Sequence, residues 1–137
     1  MILLDTSVIS ELFKANPDPK LTAWANAYLD DSAYIPVQVV GELMAAADLM
    51  MDQEKEDQLR AQLDALLTTF ATRILPYDLA ATREYATLLA LSHKSGRPTP
   101  TVDLQIAALG KSQKATLATR NPRDFDHLGI ATVNPFV

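Results

Sequence analysis

The sequence predicts an α/β fold, an α/β/α sandwich around a mainly parallel central sheet, as one domain over residues 1–137. Two observations carry this. Short apolar runs alternate with longer stretches of helical periodicity, the pattern of successive βα units. The 137 residues are 48% hydrophobic and 21% charged, ordinary globular composition in a chain long enough to bury one core.

Taken in order, Met1 to Leu4 are apolar and predict a first strand at Ile2–Leu4, ended by Asp5. Later strands are expected at Ala33–Ile35, Ile74–Leu75, Thr116–Ala118 and Ala131–Val133, the last closed by Asn134-Pro135. A first helix runs from near Ser7 to before Pro17. Asn16-Pro17-Asp18-Pro19 reads as a loop, because prolines break helix propagation. A second helix covers about Leu21–Leu29 with the only tryptophan, Trp24. The third follows Pro36 and extends to about Met51. The fourth, Gln53–Phe70, repeats Leu59, Leu63, Leu66, Leu67 and Phe70 at helical spacing. The fifth covers about Leu79–Ser92, before Gly96 and Pro98. The sixth starts after Thr101, read as its N-cap, and runs to about Gly110. Leu43, Met44, Leu49, Met50 and Met51 form an apolar group, read as core packing, with a dimer or partner surface as the alternative.

Composition narrows the function classes. There is no cysteine, which excludes disulfides and thiolate metal sites and suits a cytoplasmic protein. No apolar run approaches the 18 residues of a membrane span, and the N-terminus lacks the pattern of a secretory signal. The net charge of −5 is unevenly distributed. Up to residue 92 there are six Lys/Arg against fourteen Asp/Glu; from His93 to Arg123 there are six, Lys94, Arg97, Lys111, Lys114, Arg120 and Arg123, against one acid, Asp103. Such asymmetry fits either a nucleic-acid face or a solvated basic surface.

The residues that carry chemistry are carboxylates. Asp5 ends the first strand, Glu42 falls in the second turn of the third helix, and Asp103 in the first turn of the sixth. Asn121 and Asp124 follow the strand Thr116–Ala118. Each has an ordinary structural use: Asp5 as a helix cap, Asp103 as a partner of the helix dipole, Glu42 as a surface residue and Asp124 as a turn residue. Glu42 has Val39 and Ala46 as helical neighbours, a setting in which burial would demand a partner. Asp103 shares a face with Ile106, Ala107 and Gly110, small enough to pack closely on a sheet and hold the carboxylate at its rim. Converging carboxylates raise a pKa or bind a cation, and oxygen ligands select Mg²⁺ or Mn²⁺.

The motifs Leu4-Asp5-Thr6-Ser7-Val8-Ile9-Ser10-Glu11, Gly41-Glu42-Leu43, Asp103-Leu104-Gln105-Ile106-Ala107-Ala108, Leu117-Ala118-Thr119-Arg120-Asn121 and Asn134-Pro135-Phe136 occur in that order along essentially the whole chain. The set resembles the PIN-domain ribonucleases of the VapC toxin type. The resemblance implies a PIN-like fold with Asp5, Glu42 and Asp103 as acidic metal-site residues. The fourth acidic position of many members falls on Asn121, a departure that Asp124 would partly offset. It also implies Mg²⁺-dependent (or Mn²⁺-dependent) endoribonuclease activity leaving a 5′-phosphate, a cognate antitoxin and a homodimer. Thr6 and Thr119 are expected to orient metal-bound waters, and Arg120, Arg123 and Lys94 to steady RNA phosphates. The competing readings are a non-catalytic PIN-like binding module, a DNA nuclease using the same carboxylates, and a haloacid-dehalogenase-type phosphatase. The phosphatase is disfavoured because Ser7 stands where that chemistry needs a second acid.

Overall fold

The computed structural model describes all residues 1–137. Five strands, β1 (Ile2–Leu4), β2 (Ala33–Pro36), β3 (Ile74–Leu75), β4 (Thr116–Ala118) and β5 (Ala131–Val133), form one sheet in the order β3-β2-β1-β4-β5. Every pairing is parallel, with Ile2 opposite both Ala33 and Thr116, and Leu3 opposite Leu117. The strands lie where the apolar runs predict them. Leu3, Ile35 and Leu117 are fully buried, as a parallel sheet covered on both faces requires.

Six helices cover the sheet: α1 (Thr6–Leu12), α2 (Pro19–Tyr28), α3 (Val37–Asp48), α4 (Gln53–Thr69), α5 (Leu79–Ser95) and α6 (Thr101–Ser112). Val8, Ile9, Val39, Leu43, Leu63, Leu88, Leu104 and Leu109 join one core. No helix is long and apolar enough to cross a membrane.

Several boundaries differ from expectation for local reasons. The loop before α2 ends at Asp18, because Pro19 occupies the first helical position, where a missing N–H costs nothing, and the Asp18 side chain accepts from Lys20 N. Helix α1 stops at Leu12, well short of Pro17. Helix α5 runs on to Ser95 and closes on Gly96, whose φ of 70° is a left-handed cap conformation. Thr101 is not the cap of α6: Pro100 is, with no side-chain cap bond. The apolar group of α3 is not core as a whole. The helix ends at Asp48, and only Leu43 turns inward. Met44, Leu49 and Met51 are exposed, Met51 completely.

The strand order places a topological switch between β1 and β4: from β1 the chain steps to β2 and β3 on one side, then returns to β4 and β5 on the other. The crevice outside the carboxyl ends of β1 and β4 is where ligands bind in open α/β sheets.

Candidate active site

Asp5 leaves the end of β1 and begins α1, and its backbone N–H donates to Ala118 O at the end of β4. Its Oδ1 accepts from Thr6 N at 2.8 Å. Its Oδ2 accepts from Ser7 Oγ at 3.1 Å and Thr119 Oγ1 at 2.7 Å. Asp5 is therefore a helix cap and also a rim carboxylate. With three bonds on about four lone-pair sites, it is fixed in orientation with one site open.

Thr119 is fully buried immediately after β4. It donates to Asp5 and accepts from Asn121 N at 3.2 Å. Thr6 Oγ1 donates to Glu42 Oε1 at 2.8 Å. Both threonine hydroxyl protons are thus committed to carboxylates, so each hydroxyl can meet a further group only as an acceptor. Glu42 is exposed on α3 because Val39, Leu43 and Ala47 take the core-facing side. The apolar setting suggested by the sequence does not arise, and Glu42 stands at the rim.

Asp103 lies in the first turn of α6, half-buried. Gly110, on the same face, brings the helix against the sheet. A side-chain carbon there would overlap the Ile130 side chain and lie 3.7 Å from Leu3 Cδ1. Burial, followed by the charges of Asp5, Asp124 and Glu42, pushes the Asp103 carboxyl up to about 6 from an ordinary 3.8. No hydrogen bond or cation offsets this. The tertiary fold thus brings together the three expected carboxylates and Asp124. It does not draw them into a closed ligand cage, since no three acidic or histidine side chains are gathered that tightly.

Asn121 caps the 3₁₀ turn Pro122–Asp124, and its carbonyl accepts from Asp124 N at 3.1 Å. Its exposed side chain brings no charge. The turn carries Asp124 back toward Asp103, close enough for its charge to be felt there. Arg123 is exposed, with its carbonyl held by Arg97 Nη2 at 3.0 Å. Lys94 is exposed in the last turn of α5.

Arg120 is engaged elsewhere. Its Nη2 lies 2.8 Å from Glu11 Oε1, and its guanidinium carbon sits 4.0 Å from the Phe136 ring centre. Glu11 also accepts from Lys14 Nζ at 3.0 Å and Asp18 N at 3.3 Å. Hydrogen bonds from Arg120 and then Lys14 hold its carboxyl below the usual carboxylate range. Sequence reasoning missed Ser7 and Glu11 as parts of this site. A signal existed: Asp5, Ser7 and Glu11 are spaced to follow one strand end into one helix face.

An all-parallel α/β sheet with acidic side chains gathered at its switch point is the architecture of the PIN-like folds. The PIN domain matches residues 2–131, and the chain belongs to the PIN-domain family. Over 137 residues and 99% of both chains, it is 38% identical to the plasmid stability protein StbB of Pseudomonas syringae pv. tomato. It is 36% identical to the VapC ribonuclease Y4jK of Sinorhizobium fredii, over 99% of this chain and 98% of that one. The crystal structure of FitAcB from Neisseria gonorrhoeae superposes with a TM-score of 0.92 at 33% identity, over 99% of both chains.

Proposed function

We propose that this protein is a divalent-metal-dependent endoribonuclease, the toxin of a toxin–antitoxin pair, acting in the cytoplasm. The observation that carries this reading is the gathering of Asp5, Glu42, Asp103 and Asp124 at one rim of the sheet, where burial and then the charges of Asp5, Asp124 and Glu42 push the Asp103 carboxyl up to about 6. Such a set demands either a proton or a hard cation. The donors are all oxygen, which fits Mg²⁺, with Mn²⁺ the alternative.

Asp5 and Asp103 would hold the ion, with Glu42 binding directly or through water and Asp124 and the Asn121 carbonyl oxygen completing the rim. An ion bound there supplies Lewis acidity, lowering the pKa of a bound water and neutralising charge on the scissile phosphate. The protein's own groups prepare that chemistry. Ser7 and Thr119 fix Asp5, and Thr6 fixes Glu42. Hydrogen bonds of this kind orient ligand carboxylates and commonly matter to affinity and activity by 10–100-fold. Arg123 and Lys94 are the exposed cations available for RNA phosphates, and the expected product carries a 5′-phosphate.

The names of the relatives, a VapC ribonuclease and a plasmid stability protein, support RNA as substrate and a co-encoded antitoxin as partner. The acidic rim suits an antitoxin segment carrying basic residues. A homodimer is the expected assembly.

Sequencing the RNA ends produced by wild type and Asp5→Asn, each with Mg²⁺ and with EDTA, tests the reading. Defined 5′-phosphorylated ends should appear only with wild type and Mg²⁺. The same ends from Asp5→Asn, or from wild type in EDTA, would overturn it. Co-purification from the native operon should recover a small DNA-binding partner.

A further inference from the structure

Arg120 sits between the two residues that build the rim beyond β4, Thr119 and Asn121, and it is tied on four sides. Its N–H donates to Ser7 Oγ at 3.1 Å, and that hydroxyl donates onward to Asp5 Oδ2. Its carbonyl accepts from Asn134 Nδ2 at 3.2 Å. Its guanidinium pairs with Glu11 and stacks on Phe136. The Asn134 side chain in turn accepts from Phe136 N at 3.0 Å, shaping the C-terminal turn that presents the ring.

Exposure alone would allow a phosphate contact, because 45% of the Arg120 side chain is accessible. Glu11 decides against it. Its side chain is only 9% exposed, and without Arg120 it would keep Lys14 as its single cationic partner. Moving Arg120 onto RNA would give up both its bond to this nearly buried carboxylate and its stacking on Phe136, leaving Glu11 to Lys14 and the Asp18 amide. We infer that Arg120 is a positioning residue: paired with Glu11 and stacked on Phe136, it holds the Thr119–Asn121 turn against Asp5 and does not meet RNA phosphates. The inference deepens the proposed function and rests on it for the identity of the site.

Glu11, the one acid of α1, and Arg120, just after β4, pair across the two elements that meet at Asp5, so Arg120 ties the turn to α1 through a contact of its own.

The test uses the full chain as wild type, Arg120→Gln, Arg120→Lys, Glu11→Gln and the double variant Glu11→Gln/Arg120→Gln. Three quantities are read: amide hydrogen exchange at residues 119–121, Mn²⁺ binding followed by the signal of the free ion, and RNA affinity against salt. Arg120→Gln and Glu11→Gln should each speed exchange at the Asn121 amide and weaken Mn²⁺ by about tenfold. The double variant should be little worse than either single one, because both remove the same contact. Arg120→Lys should recover part of the Mn²⁺ affinity. The slope of log affinity against log salt should stay at the wild-type value throughout. A slope smaller by about 0.7 in Arg120→Gln, one phosphate contact on a single strand, would overturn the inference. So would unchanged exchange at 119–121, even if the variant bound Mn²⁺ more weakly. If wild type binds no Mn²⁺ and cuts no RNA, the proposed function fails by itself, and exchange at 119–121 still decides the role of Arg120.

Discussion

Replacing Asp103 with Asn should make the metal-free protein more stable at neutral pH while removing its activity. Asp103 accepts no hydrogen bond, so the amide loses none, while the charge that burial, Asp5, Asp124 and Glu42 oppose is gone. Raising a carboxyl from 3.8 to about 6 corresponds to about 3 kcal/mol disfavouring its ionised form. Partial exposure lets solvent screen that figure to about 2 kcal/mol. The sign follows from proton uptake. Between the ordinary value and about 6 the folded chain holds the Asp103 proton that the unfolded chain has lost, so wild-type stability falls as pH rises through that window. Above it the loss is complete; below it the group costs nothing. Thermal melts in EDTA should therefore show Asp103→Asn and wild type alike near pH 3.5. At pH 7.5 the variant should melt higher by about 6 °C, taking about 3 °C per kcal/mol for a chain this size. Mg²⁺ should raise the wild-type melting temperature and leave the variant unmoved. Equal melting at pH 7.5, or a less stable variant, would refute the claim that uncompensated carboxylates crowd Asp103.

Thr119→Val removes a buried hydroxyl that serves both Asp5 and the Asn121 amide, so urea melts should show a loss of about 1–3 kcal/mol, with cleavage reduced by about 10–100-fold. Gly110→Ala pushes a methyl into the Ile130 side chain. Overpacking of about 1–3 kcal/mol against a helix gain of about 1 leaves a net loss of up to about 2 kcal/mol in the same assay. Reversing the exposed Arg123 and Lys94 to Glu should weaken RNA binding and flatten its salt dependence, and affinity curves unchanged across salt would remove both from the RNA path.

The α/β class, all five strands and the six helices were legible in the sequence because local patterns carry them. Apolar runs such as Ile2–Leu4 and Thr116–Ala118 are buried on both faces, and proline and glycine mark the breaks. Asp5, Glu42 and Asp103 were legible as candidates from their places at strand ends and helix starts. Periodicity misjudged two points. Glu42 has apolar neighbours along the chain yet faces solvent, and Met44, Leu49 and Met51 are apolar yet exposed, because helix ends and wheel phase are set by packing.

Only the tertiary structure decided what the carboxylates do together. The order β3-β2-β1-β4-β5 brings β1 beside β4, two strands separated by more than a hundred residues, and so lets Thr119 bond Asp5. The same arrangement brings the charge of Asp124 to bear on Asp103 and ties Arg120 to Glu11. Burial and charge proximity depend on distance in space, which local sequence pattern does not encode. The sequence by itself determined which elements form and which acids stand at their ends; the fold alone determined that those acids share one rim and that the Arg120 guanidinium pairs with Glu11 and Phe136.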